Sequence, residues 1–190
     1  TYGLAFAEDT WNIDYSGVTF VGLNAMLHRL YMERYRVSER EIISLAIQSH
    51  ENALKAEHSM FKRKITLEQA LNSPLIADPI RLLDSSPICD GAAAVILMPI
   101  EDLDERIIEI AGSSLRTQVM SVHEREDMLW FKATSEASKE ALNEAGLTIR
   151  DIDLFEVHDA FTITGILSLE AMKVFKRGRA AKEIASGKTK

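Results

Sequence analysis

An α/β fold is predicted for this chain, with a helical region followed by alternating strands and helices, and three observations predict it. Residues 20 to 71 repeat apolar positions at helical spacing behind two N-cap signals. Ala92 to Met98 is a short unbroken apolar run ended by Pro99, the pattern of a strand buried on both faces. The second half then reads strand, strand, helix, strand, helix.

The elements follow in order. Thr1 to Thr19, rich in Gly, aromatics and acids, reads as an irregular arm. From Phe20, Leu23, Leu27, Leu30 and Tyr31 recur at helical spacing, with Arg29, Glu33 and Arg34 between them. Ser38 and Glu41 form a capping-box pattern that opens a second helix through Ile42, Leu45 and Ala46 to about Ala56. Thr66 opens a short third helix to Leu71, and Ser73-Pro74 stops it because proline disfavours helix in the residue before it. Asp78 to Pro87 reads as loop. Asp90-Gly91 turns the chain into Ala92–Met98, and Ile107 to Ala111 is a second apolar strand closed by Gly112. Phe131 to Ala145 is helical by its spacing, and Gly146 suits a left-handed ending. Leu154-Phe155-Glu156-Val157 is a third strand, Thr162 to Phe175 an amphipathic helix, and Lys176 to Lys190 a basic tail rich in small residues.

Composition narrows the function. In 190 residues, 46% are hydrophobic and 27% charged, which suits a globular protein and argues against disorder. The net charge of -7, with Lys and Arg scattered, is wrong for nucleic acid. Cys89 is the single cysteine, so no internal disulfide and no cysteine-based metal site can form, and a reducing cytoplasm is the natural setting. No apolar run is long enough to span a membrane, and the first residues do not resemble a signal peptide.

Few residues are placed for chemistry. His158 ends a predicted strand just before a helix, where unpaired backbone N–H groups favour developing negative charge. Strand alternation puts Glu156 on the same face, within reach of a shared hydrogen bond. Asp151, Asp153, Glu156 and Asp159 surround that strand, and as a group they suit solvated or capping roles, with Asp151 at the turn leading in. Cys89 precedes Asp90, whose carboxylate disfavours thiolate, so it reads as structural. His28, His50, His58 and His123 show no metal-ligand spacing, and Gly91, Gly112 and Gly165 make no phosphate loop.

Two stretches together carry a resemblance. Ser86-Pro87-Ile88-Cys89-Asp90-Gly91-Ala92-Ala93-Ala94-Val95-Ile96-Leu97 resembles the strand-entry motif of thiolases. Ala141-Leu142-Asn143-Glu144-Ala145-Gly146-Leu147, Asp151-Ile152-Asp153 and Glu156-Val157-His158-Asp159-Ala160-Phe161 are similar to that family's helix–strand–active-site loop. Tyr31 to Tyr35 and Ser38 to Glu41 resemble the helical insertion that precedes Asp-Gly-Ala-Ala-Ala. His-Asp at 158 and 159, where most thiolases carry Asn-Glu, is similar to the sterol-carrier-protein-type and archaeal acetyl-CoA acetyltransferase branches.

The resemblance implies part of a thiolase-like fold: a helical loop-domain-like region over 1–88, then the end of one α/β half and the start of the other over 89–190. It implies an acetyl-CoA C-acetyltransferase, running Claisen condensation or thiolysis of acetoacetyl-CoA. The coenzyme A thioester is substrate, with no cofactor and no metal. It assigns His158 to the oxyanion hole that stabilises the thioester enolate, Asp159 to orienting that loop with Glu156 beside it, and Phe161 to lining the acyl pocket. The family's nucleophilic cysteine lies upstream of the matched region, and its Gly-His-Pro histidine and second cysteine lie downstream. The chain is therefore expected to be incomplete, inactive alone, and exposed along Ala92–Met98, which favours association. The family further implies a cytoplasmic homo-oligomer that takes acyl-CoA, with 3-hydroxy-3-methylglutaryl-CoA synthase and a bridging protein as possible partners. The alternatives are a non-catalytic thiolase-like subunit for assembly or acyl-CoA binding, and an interaction module whose motifs coincide by chance.

Overall fold

A computed structural model of the chain describes residues 17–99 and 108–189. The predicted arm up to residue 16 and the start of the predicted Ile107–Ala111 strand lie outside them. Helix α1 (Phe20–Tyr35) begins at Thr19, whose hydroxyl accepts from the Gly22 N–H, and it ends at a left-handed Arg36. Helix α2 (Glu39–Ala53) carries the expected capping box, with the Ser38 hydroxyl accepting from the Glu41 N–H and the Glu41 carboxylate accepting from the Ser38 N–H. Helix α3 (Leu67–Leu71) is capped in the same way by Thr66, with Gln69 rather than the neighbouring Glu68 as the reciprocal partner.

The stretch read as loop before Pro87 holds more structure than predicted. Strand β1 (Leu75–Ala77) pairs antiparallel with β2 (Ile80–Arg81), and a 3₁₀ turn follows at Leu82–Asp84. After it come 3₁₀ turns at Val122–Glu124 and Ile149–Asp151, helix α4 (Lys132–Ala145), helix α5 (Thr162–Ala171) and helix α6 (Ala180–Ala185). Gly146 ends α4 in the left-handed region, as predicted. Asp151 accepts from both the backbone N–H and the hydroxyl of Thr148, confirming its capping role.

The three predicted sheet strands are corrected by the structure. Ala92–Met98, the described part of Ile107–Ala111 and Leu154–Val157 form no strand, and the two-stranded ribbon β1–β2 is the one sheet among the described residues. A strand leaves its N–H and C=O groups unsatisfied until a neighbour pairs with them, and these runs do not pair with one another. Val95 and Ile96 are 83% and 92% exposed, so successive side chains on opposite faces of the run are both uncovered, as expected for it when nothing packs there. The described fold is thus mostly helical.

The core lies where the helices meet. Tyr31 of α1, Ile42 of α2, Ile80 of β2 and Ile163, Ile166 and Leu167 of α5 are buried together, with Ala180, Ala181 and Ile184 of α6. Nine of the ten α5 residues are buried, so it is a central helix rather than the amphipathic one expected. Gly165 permits this. A Cβ there would stand 2.6 Å from Leu45 Cδ2 and 3.0 Å from Asp159 Cβ, so α5 approaches α2 closely at that point.

Glu170 sits 3% exposed at the end of α5. It accepts from the Tyr31 hydroxyl at 2.5 Å and from the N–H groups of Gly178, Arg179 and Ala180 at 2.8 to 3.0 Å. One buried carboxylate thereby satisfies the free donors at the start of α6 and joins them to α1. Burial, with Glu170 alongside, pushes the Tyr31 phenol up from its ordinary range. Asp127 clasps the outside, accepting from Arg34 at 2.9 Å and from Arg177, whose guanidinium also lies over the Trp130 ring. These contacts hold the Asp127 carboxyl below its usual range.

Candidate functional site

The site begins at the entry to α5. Asp159 follows His158 directly, and its carboxylate accepts from the Ser49 hydroxyl of α2 at 2.9 Å. Two residues on, Phe161 bridges antiparallel to Ser85, and the Ser86 N–H donates to the Ala160 carbonyl at 2.9 Å. Thr162 donates from its hydroxyl to Asp84 at 2.7 Å, while the Arg81 N–H donates to the other oxygen of Asp84 at 3.0 Å. Three ties therefore fasten the turn from 159 to 162 to α2 and to the 81–86 segment, the Ser86–Ala160 bond being the one that forms the bridge.

These elements line an open cavity of about 230 Å³. Ala46 and Ala53 of α2, Met60, Phe61, Leu83 and Pro87 give it apolar walls. Ser49, Asp84, Asp159 and Thr162 give it a polar floor, and His50, Ser59, Ser85 and Ser86 also line it. Asp84 is 1% exposed, and burial pushes its carboxyl up from the ordinary range against the opposing pull of the Arg81 N–H and the Thr162 hydroxyl. An apolar slot with a few fixed hydroxyls and carboxylates suits a slender ligand bearing amides or carbonyls. No cysteine lines it. Cys89 is exposed and does not line it, although Pro87, two positions earlier, does.

The residues singled out in the sequence fall in different places. Asp159 lines the cavity. His158 and Glu156 are exposed, with no strand beneath them, and neither makes a hydrogen bond to another described residue. Phe161 is buried in the main core, its ring 5.7 Å from that of Phe20. Sequence reasoning passed over Ser49, Asp84 and Thr162. Ser49 carried a signal, since it continues the buried face of α2 set by Ile42, Leu45 and Ala46. Asp84 carried less, an acid after Leu82 and Leu83 in a stretch read as loop. Among the described residues, no group of three or more His, Cys, Asp or Glu side chains is placed to hold a metal, and no helix is long and apolar enough to cross a membrane.

Comparison with known proteins finds relatives of this chain. The thiolase N-terminal domain matches residues 11–101, and the thiolase C-terminal domain-like family matches residues 114–190. The acetyl-CoA acetyltransferase of Methanothermobacter thermautotrophicus is 38% identical over 194 aligned residues, covering 100% of this chain and 50% of the relative. That of Methanocaldococcus jannaschii is 39% identical, covering 87% of this chain and 44% of the relative. Human sterol carrier protein 2 is 27% identical over 83% of this chain and 30% of its own length. The chain thus spans about half the length of the archaeal relatives it matches. Among solved structures, the Ltp2-ChsH2(DUF35) aldolase superposes with a TM-score of 0.82 at 24% identity, over 94% of this chain and 49% of that one, a likeness of fold.

Proposed function

Because this chain belongs to the thiolase superfamily, we propose that it forms the acyl-thioester pocket of an acetyl-CoA acetyltransferase, with the cavity beside Asp159 taking the thioester arm. The observation that carries this reading is the fastening of the 159–162 turn. Ser49, Asp84 and the 85–86 segment hold it at the cavity wall by three ties, starting at the Asp of the His-Asp pair. A donor held in advance at the point where charge develops lowers a barrier without reorganising during the reaction.

His158 is the oxyanion donor in this proposal, exposed at the edge of that turn until substrate and the rest of the enzyme cover it. Asp159, held by Ser49, fixes the direction in which the turn presents His158. Phe161 anchors the turn through the core. The reaction is Claisen condensation or thiolysis, and the thiol that accepts the acyl group lies outside these 190 residues, since Cys89 is exposed and does not line the cavity. The setting in this reading is a cytoplasmic oligomer, and assembly with other acyl-CoA-handling polypeptides belongs to the same proposal.

The absence of a thiol from the lining also favours a second reading, a thiolase-like subunit that binds acyl-CoA without turning it over. Acetyl-CoA binding and acetoacetyl-CoA turnover in the native assembly separate the two. On the first reading, His158→Ala leaves binding within about threefold and lowers turnover by about 10² or more, the usual cost of an oxyanion donor. Binding with no turnover in the native assembly supports the second reading, and no binding at all overturns both.

A further inference from the structure

The side chains that line the cavity offer acceptors to a ligand and almost no donors. Ser49 donates its hydroxyl hydrogen to Asp159 at 2.9 Å, and Thr162 donates its own to Asp84 at 2.7 Å. The Ser59 hydroxyl donates to the Ala53 carbonyl at 2.6 Å, and the Ser85 hydroxyl to the Leu82 carbonyl at 3.1 Å. A hydroxyl has one hydrogen, so each of these residues keeps only lone pairs for a ligand. His50 Nδ1 lies 3.1 Å from the Arg63 carbonyl, which can only accept, so Nε2 of the neutral ring is a further acceptor. Exposed Ser86 is the one lining hydroxyl that donates to no described residue.

Charge runs the same way. No Lys or Arg lines the cavity, whereas Asp84 and Asp159 both do. Arg81 touches Asp84 through its backbone N–H, and its guanidinium is turned to Glu39 and the Ser73 carbonyl. Free N–H groups at the start of α5 would draw an anion. Asp84, bonded to Thr162, and Asp159, just before the helix, already bring two carboxylates there. Asp84 is buried, so its charge is weakly screened. A third carboxylate beside it would lack both a counter-ion and a donor.

We propose that Asp84 and Asp159 set an acyl specificity: the cavity takes uncharged acyl groups, binds them better when they carry a hydroxyl, and excludes acyl groups that end in a carboxylate. This rests on the thioester reading above, with the acyl group at the polar floor. A ligand hydroxyl there finds acceptors for its hydrogen, whereas a ligand carboxylate finds acceptors and like charge.

Butyryl-CoA, 3-hydroxybutyryl-CoA and succinyl-CoA share the coenzyme and the chain length and differ in one group, so their ratios report on the floor. Equilibrium binding of each is measured to the native assembly and to Asp84→Asn, Asp159→Asn and Ser86→Lys variants. The native protein is expected to bind butyryl-CoA about tenfold or more tightly than succinyl-CoA, and 3-hydroxybutyryl-CoA several-fold more tightly than butyryl-CoA. Each Asn variant removes one charge at nearly constant shape and narrows the succinyl-CoA penalty several-fold. Ser86→Lys, at an exposed position, supplies a cation and raises succinyl-CoA affinity several-fold, so the test stands even where Asp84→Asn fails to fold. Equal native affinity for butyryl-CoA and succinyl-CoA overturns the specificity and leaves the thioester reading standing. So does a penalty that is unchanged in both Asp159→Asn and Ser86→Lys. A hydroxyl that adds no affinity overturns the acceptor role of the floor. Failure of the native protein to bind any of the three overturns both readings.

Discussion

Helix α5 and the run Ala92–Met98 are both strongly apolar, yet nine of the ten α5 residues are buried while Val95 to Met98 are exposed. The difference comes from the backbone. A helix satisfies its own N–H and C=O groups within one segment, so α5 needs only apolar neighbours, and α1, α2 and α6 supply them. An inner strand needs hydrogen-bonding neighbours on both edges and cover on both faces. Leu154, Ile108 and Ile110 share the fate of Val95, exposed in segments that read as strand and stand without ladder partners. Apolar composition therefore tells which residues want burial, and only pairing decides whether a strand forms.

Four measurements probe this contrast. The largest expected effect is at the anchor of the packed region. Glu170→Ala leaves one hydroxyl and three N–H groups without their buried acceptor, and chemical denaturation is expected to show a loss of about 3–5 kcal/mol. The direct comparison pairs Ile166→Ala with Ile96→Ala. The first is expected to cost about 2–5 kcal/mol and the second within about 0.5 kcal/mol. An equal cost at both positions would show that Ile96 is covered in solution.

His28 sharpens the packed side. It is 0% exposed on α1, neither ring nitrogen has a hydrogen-bond partner among the described residues, and burial, with Arg29 nearby, holds its pKa down to about 4. The folded state therefore keeps the ring neutral while the unfolded chain takes up a proton near pH 6.5. Stability is present above that pH and is lost as pH falls from about 6.5 to 4, by roughly 3 kcal/mol at about 1.4 kcal/mol per pH unit. His28→Leu is expected to flatten that part of the stability–pH curve, and an unchanged curve would show that His28 is not the group responsible. The smallest effect is at the cavity. Ser49→Ala removes one hydrogen bond to Asp159, and calorimetry is expected to show acetyl-CoA affinity falling by about five- to tenfold, the worth of roughly 1 kcal/mol, with fold stability nearly unchanged.

Much of the helical region was legible in the residues. Ser38 with Glu41, Thr66 and Gly146 each mark a helix end through a local interaction, and all three marks hold. Helix α6 escaped because its sequence reads as a basic tail. Its start depends on Glu170, a carboxylate ten residues before Ala180 that only the fold brings to its free N–H groups. The family motif pointed to the 156–161 segment. It did not point to Ser49, which is 110 residues from Asp159 in sequence and meets it through the packing of α2 beside α5.

The sequence by itself determined helices α1 to α5 with the local caps at Ser38, Thr66 and Gly146, the apolar residues that seek burial, and the thiolase motifs, because each depends on residues within a few positions of one another. Tertiary structure decided which apolar runs were covered, where Asp159 found its partner, and that a cavity opened beside the His158 turn. Those outcomes depend on groups far apart in the chain meeting at hydrogen-bonding distance, and no local pattern encodes that meeting.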